Sequence, residues 1–338
     1  MLPYKYVLYF PKHKSMPLLK ANTGFDITGA ARLRDALKAN ASSEPIDVSS
    51  VDGDLGQYFL TYGFEQLPKS DAFRMEVQSF AGFDIAHFHW QVAQPKAEVL
   101  VVHGLFDHTG LFLDLVEALL LRGFNVRSID LPGHGLSGGA PVTIESFAEY
   151  ANVIDVLLQS IDRDSDIPLY AVGQSTGCAA LLHYLLAGCG QAFTKVALLA
   201  PLIQPHAWPW VRFSYFMLHK FMRWYPRSFM TNSHDSAFCD FLRHSDPLQS
   251  HKISVKWVGA MRLWIECFAH LSESEMECLV VQGTGDTTVN WKNNISQVQE
   301  KLPNSQVAYI EGAMHHLVKE GDAWQKQVFE RVLGFLDK

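Results

Sequence analysis

Pro168-Leu169-Tyr170-Ala171-Val172-Gly173-Gln174-Ser175-Thr176-Gly177 is the stretch on which the fold of this chain turns. Its apolar half has the composition of a strand buried on both faces. The residues that follow, Thr176 to Leu186, are mainly apolar and predict a helix. Between the two lies the pattern Gly-x-Ser-x-Gly. A sharp strand-to-helix turn lifts a serine Oγ above the sheet, and small residues two positions to either side permit that turn. The helix N-terminus also directs partial positive charge to the place where an oxyanion would form. Ser175 is therefore the candidate nucleophile, with Gly173 and Gly177 as the elbow glycines. The pattern recurs at Gly135-Leu136-Ser137-Gly138-Gly139, which follows Pro132-Gly133, precedes Ala140-Pro141 and opens no helix. That copy reads as a loop.

Outward from Ser175, strands and helices alternate. Val99 to Val102 predicts a buried strand, Leu111 to Arg122 a helix ended by Gly123, and Asn125 to Asp130 the next strand. Thr143 is expected to cap a helix whose Phe147, Tyr150, Ile154, Leu157 and Ile161 recur at helical spacing. After strand Val196 to Leu199 the rhythm resumes with Cys278 to Gln282, a helix from Trp291 to Leu302, strand Gln306 to Ile310 and a helix from Ala323 to Leu336. Phe73 to Phe80 and Ile85 to Val92 alternate with period two across Gly82, the mark of a hairpin. The sum is an α/β fold: a mostly parallel sheet with helices on both faces, built from residues 72–201 and 276–338. Residues 1–71 form an N-terminal extension that covers a sheet edge, with helices expected at Ile27 to Asn40, capped by Thr28, and at Leu55 to Phe64. Residues 202–275 break the rhythm and read as an inserted helical cap.

Composition narrows the function classes. The 338 residues are 48% hydrophobic and 19% charged, as in a packed globular protein, and the net charge of −7 gives no bulk attraction to nucleic acid. No apolar run approaches the roughly 18 residues of a membrane span. Met1 to Lys14 lacks the pattern of a signal peptide. Five cysteines without a C-x-x-C pair fit free thiols and a reducing cytoplasm rather than a disulfide framework or structural zinc. His87-x-His89 stands on one strand face as metal ligands can, but no third ligand is in register, so no metal is expected. Without G-x-G-x-x-G or P-loop, no nucleotide cofactor is expected either.

A serine hydroxyl needs a base to take its proton and a carboxylate to orient that base. Strand Leu279 to Gln282 runs into Gly283-Thr284-Gly285-Asp286, which sets Asp286 at the carboxyl end of the strand, where open α/β sheets keep their sites. Strand Val307 to Ile310 runs into Glu311-Gly312-Ala313-Met314-His315-His316 and delivers a histidine to the same edge. His315 and His316 compete for the base. The oxyanion donors are expected at Thr176 N–H and, from His103-Gly104-Leu105, at Leu105 N–H, with the His103 side chain bracing its loop.

These motifs resemble the α/β-hydrolase superfamily, in its branch of monoacylglycerol lipases, lysophospholipases and serine-aminopeptidase-like hydrolases. The resemblance rests on His103-Gly104-Leu105-Phe106-Asp107-His108-Thr109-Gly110, Asp130-Leu131-Pro132-Gly133-His134-Gly135-Leu136-Ser137, the elbow at Ser175, Gly283-Thr284-Gly285-Asp286 and Gly312-Ala313-Met314-His315. It implies a Ser175, Asp286, His315 triad, since the family histidine follows Gly-Ala-x. The chain departs from the family in having Gly-Gln-Ser-Thr-Gly for the usual Gly-His-Ser-Met-Gly, and Thr109 and Leu111 for the commoner Ser and Arg.

Residues 202–264 carry eight basic and three acidic side chains, +5 against −12 for the remainder, among many aromatics. A basic, aromatic cap suits an anionic lipid surface and an acyl chain. Trp208, Trp210, Phe213 and Phe216 are its candidate substrate contacts, and 210–224 is a candidate amphipathic helix. The expected activity is cofactor-free hydrolysis of a single-chain lipid ester, monoacylglycerol or lysophospholipid. The rival readings are a short-chain carboxylesterase, an aminopeptidase-like peptidase, an acyltransferase and a non-catalytic binding module.

Overall fold

The computed structural model describes residues 19–39, 44–68, 70–161, 166–188 and 192–338. Met1 to Lys14, Asn40 and Cys189 lie outside the described residues. Strands β1 (Ala72–Phe80) and β2 (Phe83–Gln91) form the hairpin, joined by Ala81 and Gly82 at φ +50° and +85°. Positive φ at both linking residues marks a type I′ turn, whose twist matches that of the strands it joins.

Six further strands complete the sheet: β3 (Glu98–Val102), β4 (Asn125–Ile129), β5 (Leu169–Gln174), β6 (Lys195–Leu199), β9 (Cys278–Gly283) and β10 (Gln306–Ile310). The order is β1-β2-β4-β3-β5-β6-β9-β10, antiparallel at β1/β2 and β2/β4 and parallel from β4 onward. Each inner strand is buried on both faces. In β3, Val99 and Val101 enter one core cluster and Leu100 and Val102 the other. One face is covered by α3 (Leu113–Leu121) and α10 (Asp322–Leu336), the other by α4 (Phe147–Ser160), α5 (Thr176–Leu186) and α9 (Trp291–Lys301).

The extension does more than cover an edge. Ile46 N–H donates to Phe73 O on the edge strand at 2.7 Å. Helices α1 (Ile27–Ala39) and α2 (Gly53–Tyr62) add Leu33, Leu37, Tyr58, Phe59 and Tyr62 to the core beside α3. Two expected caps are displaced. Asp26, not Thr28, accepts from Gly29 N–H at 2.7 Å, and Ser146, not Thr143, accepts from Ala148 N–H at 3.2 Å. Asp26 and Ser146 each stand immediately before the first helical residue, the position from which a side-chain oxygen reaches the free N–H groups.

The insert between β6 and β9 holds α6 (Trp208–Leu218), a ribbon of β7 (Trp224–Pro226) and β8 (Lys252–Ser254), α7 (Ser236–His244) and α8 (Val255–Phe268). The expected helix through Trp224 stops at Leu218 instead, and Trp224 goes to the ribbon. Helix α8 behaves as a core helix: Trp257, Met261, Trp264 and Phe268 join the cluster around α4, and Trp257 Nε1–H donates to Tyr150 Oη at 3.2 Å.

Candidate active site

Strand β5 runs into α5 through Ser175, whose φ of +53° and ψ of −110° put it in a conformation few non-glycine residues adopt. The flanking glycines make room for it. A Cβ on Gly173 would stand 2.8 Å from Leu181 Cδ1 and 2.9 Å from Cys178 N, and one on Gly177 would overlap the Val102 carbonyl. The elbow thus lets α5 press directly on the end of β3.

Ser175 Oγ–H donates to His315 Nε2 at 2.9 Å, and His315 Nδ1–H donates to Asp286 Oδ2 at 2.7 Å. All three side chains are buried. Asp286 is held in turn by Gln282 Nε2 at 3.1 Å and by the N–H groups of Thr288 and Val289 at 2.8 and 3.2 Å. The acid and base loops are joined to each other, Gly285 N–H donating to Ala313 O at 2.9 Å and Thr284 N–H to Ile310 O at 3.1 Å. Burial disfavours the charged form of each partner, yet the mutual charge and hydrogen bond prevail. The His315 imidazole is therefore raised above its ordinary pKa and the Asp286 carboxyl lowered.

His316, the rival base, is turned away from Ser175. Its Nδ1 accepts from Lys319 N–H at 3.2 Å and its Nε2–H donates to Asp107 Oδ1 at 3.3 Å. It therefore ties the histidine loop to the loop after β3. Burial would raise the Asp107 carboxyl, but His316 and His103 draw it down to about 2. Gln174 makes a second tie, its Oε1 accepting from Val318 N–H at 3.0 Å. The glutamine that departs from the family elbow thus supports the turn behind the base. Nothing in the linear pattern pointed to either link.

His103 braces its loop, as its position suggested. Nδ1–H donates to Gly104 O at 2.7 Å and Nε2 accepts from Leu131 N–H at 2.9 Å. Burial, with His134 beside it, holds its pKa at about 3, so it stays neutral. Among the described residues, no backbone hydrogen bond within the chain engages Leu105 N–H or Thr176 N–H, the two expected oxyanion donors. Ser137 of the second Gly-x-Ser-x-Gly copy is occupied, donating to Asp130 O and accepting from Ala86 N–H. His87 accepts from Arg127, which is paired with buried Glu98, and lies beside partly exposed Glu76; no trio of His, Cys, Asp or Glu is poised for a metal among the described residues.

The four candidate contacts on the insert are not brought together. Trp208 is packed into the core, whereas Trp210 and Phe216 are 76% and 73% exposed and Phe213 is also exposed. Phe221, at 84%, extends this outward apolar strip, with Arg212, Lys220 and Arg223 exposed along it. Residues not foreseen as important line the inner side of the insert: Arg227, Asp246 and Gln249 reach the loop after β3, and Ser233 and His234 reach Glu320 behind the histidine loop.

The chain is similar to known proteins over this same region. A monoglyceride lipase homolog of monkeypox virus is 25% identical over 260 residues, 72% of this chain and 91% of that protein. The phospholipase YtpA of Bacillus subtilis is 27% identical over 114 residues, 34% of this chain and 44% of the relative. Among solved structures, a soluble variant of monoglyceride lipase from Saccharomyces cerevisiae superposes with a TM-score of 0.69 at 18% identity, covering 80% of this chain and 95% of that one. The family described as serine aminopeptidase, S33, matches residues 93–322, so this chain belongs to that family, within the α/β-hydrolase superfamily.

Proposed function

We propose that this serine ester hydrolase of the lipase/esterase type cleaves single-chain lipid esters, monoacylglycerols or lysophospholipids, through an acyl-enzyme on Ser175. The observation that carries the chemistry is the continuous hydrogen-bond chain from Ser175 Oγ through His315 to Asp286. His315 Nε2 takes the serine proton as Oγ attacks the ester carbonyl, then gives it to the leaving alcohol. Asp286 holds the imidazole with Nδ1–H inward and stabilises the imidazolium. Leu105 and Thr176 N–H groups receive the tetrahedral oxyanion, and a buried site makes each such donor strong. Water, activated by the same His315, then releases the fatty acid.

The lipid reading is supported by the strip of Trp210, Phe213, Phe216 and Phe221 with its neighbouring arginines and lysine, and by the lipases among its relatives. The strip rests on an anionic lipid surface and admits the acyl chain. On this reading the protein works in the cytoplasm and touches the membrane from one side; among its described residues no helix is long and apolar enough to cross one. An aminopeptidase would need free carboxylates for an ammonium group. The two buried acids of the insert and loop are instead committed, Asp246 to His108 and Asp107 to His316.

The test is fatty-acid release from a long-chain monoacylglycerol, a lysophospholipid and a short-chain ester, with Ser175→Ala alongside. Release from the long-chain lipids should fall by about 10⁵ to 10⁶ in the variant, the loss expected for a triad serine. Turnover that survives the substitution removes the mechanism. Turnover of the short ester alone keeps the triad and removes the lipid.

A further inference from the structure

Phe106 stands next to the expected oxyanion donor Leu105, and its backbone is unusual. Gly104 O accepts from Asp107 N–H at 3.2 Å, closing a four-residue turn in which Phe106, the third residue, has φ +67°. Leu105 is not among the positive-φ residues. A turn positive only at its third position is type II, and that position favours glycine or asparagine. A bulky aromatic there is strained and persists only where its surroundings over-determine it.

The surroundings that do so come from the insert. Gln249 Nε2–H donates to Phe106 O at 2.9 Å and also to Asp246 Oδ2 at 2.8 Å. The Arg227 guanidinium carbon lies 3.9 Å from the centroid of the Phe106 ring and 4.2 Å from that of Phe229. Arg227 Nη1–H donates to Gln249 Oε1, which makes the two clamping residues one unit. Burial lowers the guanidinium to about 10, Asp107 and Asp246 acting on it through space, so it remains a cation at neutral pH. A desolvated cation against an aromatic face holds that ring firmly.

Were Phe106 to relax to negative φ, the turn would become type I. The peptide between Leu105 and Phe106 would then rotate by about half a turn, exchanging the directions of its N–H and C=O. That peptide carries Leu105 O and Phe106 N–H and follows directly on the Leu105 N–H, the expected oxyanion donor.

We propose that Arg227 and Gln249 are positioning residues, which clamp Phe106 so that the Gly104 to Asp107 turn keeps the form that serves the oxyanion through Leu105. This rests on the proposed hydrolase mechanism and makes the insert part of the apparatus that sets kcat.

The experiment compares Arg227→Met, Arg227→Lys, Gln249→Ala and, as control, Arg331→Met at an exposed position of α10, on a soluble short-chain ester. Arg227→Met and Gln249→Ala should lower kcat roughly ten- to a hundredfold, less than the 10² to 10³ of a deleted donor, with KM within about twofold. Arg227→Lys keeps charge but not the planar stack, and should share most of the loss. A trifluoromethyl ketone, whose adduct carries the oxyanion, should bind more weakly by a similar factor, while a non-hydrolysable ether analogue of monoacylglycerol binds unchanged. Phe106→Gly in the Arg227→Met background should recover most of kcat, because glycine takes positive φ without strain. A role in packing the insert alone predicts no such rescue.

Raised KM with intact kcat, or unchanged kcat in all the variants, overturns the inference. So does failure of Phe106→Gly to rescue. Labelling wild type with a fluorophosphonate separates the two levels. Wild type unlabelled at Ser175 removes the hydrolase reading itself, whereas labelled wild type with unaffected Arg227 variants removes only the clamp.

Discussion

Asp286 and His315 set each other's charge, and their pairing has a measurable sign. The imidazole is raised mainly because the Asp286 charge and hydrogen bond outweigh its burial. A base works only when neutral, so the acid limb of kcat/KM against pH should lie above the ordinary histidine value of about 6.5. In Asp286→Asn burial is left to dominate, and that limb should move to lower pH while kcat falls by about 10⁴. A pH–rate series on both proteins checks it, and a limb that stays in place contradicts the pairing. Stability runs differently. The raised His315 contributes most below about pH 6.5, and that contribution is lost as pH rises through its folded value. The lowered Asp286 contributes above about pH 3.9 and loses its share as pH falls through its own folded value. At this scale Ser175 and Asp286 were legible, because each lies at the end of an apolar strand with a motif around it. The choice of His315 over His316 needed family resemblance, since adjacent residues on a loop carry no periodicity. The work of His316, Gln174 and Arg227 was not legible at all, for each acts through a partner distant in sequence.

Helices and strands that are apolar throughout were the easiest to read, and α5 begins and ends where its sequence indicated. The least legible were the segments whose partners lie elsewhere, the extension and the insert. Tyr62 at the end of α2 shows why. Its Oη–H donates to Asp246 Oδ1 at 2.7 Å, and its ring lies 4.7 Å from that of His108, which itself reaches Asp246 Oδ2 at 3.2 Å. One buried carboxylate therefore joins extension, core loop and insert. Tyr62→Phe removes a hydrogen bond to a charged group and should cost about 2 kcal/mol in urea unfolding. An unchanged midpoint would mean that the extension is held by its apolar contacts alone.

Charge and apolar surface are distributed so that the molecule has a preferred face. Residues 202–264 are basic and the remainder strongly acidic, so an anionic surface attracts the first and repels the second. The exposed rings of Phe216 and Phe221 lie on the attracted side. Phe216→Glu with Phe221→Glu should weaken binding to phosphatidylglycerol vesicles by tenfold or more, since burying each Phe is worth about 1.5–3 kcal/mol. Activity on a soluble short ester should survive. Equal vesicle binding by wild type and variant would assign the strip to another role. Composition alone foretold a basic, aromatic insert, but its aromatics proved to serve two ends. Those of α8, with Trp208 at the start of α6, fill the core, whereas Trp210, Phe213 and Phe216 of α6 and Phe221 after it face outward.

Sequence by itself determined the alternating strands and helices, the elbow around Ser175 and the loops bearing Asp286 and His315. These depend on contacts between near neighbours: buried runs, tight turns and small residues at fixed offsets. Tertiary structure alone decided what His316 ties together, which aromatics are buried and what holds Phe106 in its strained turn. Those outcomes depend on side chains that meet across one hundred or more residues, as Gln249 meets Phe106 over 143. No local pattern encodes such a meeting, because packing of whole elements brings the partners together.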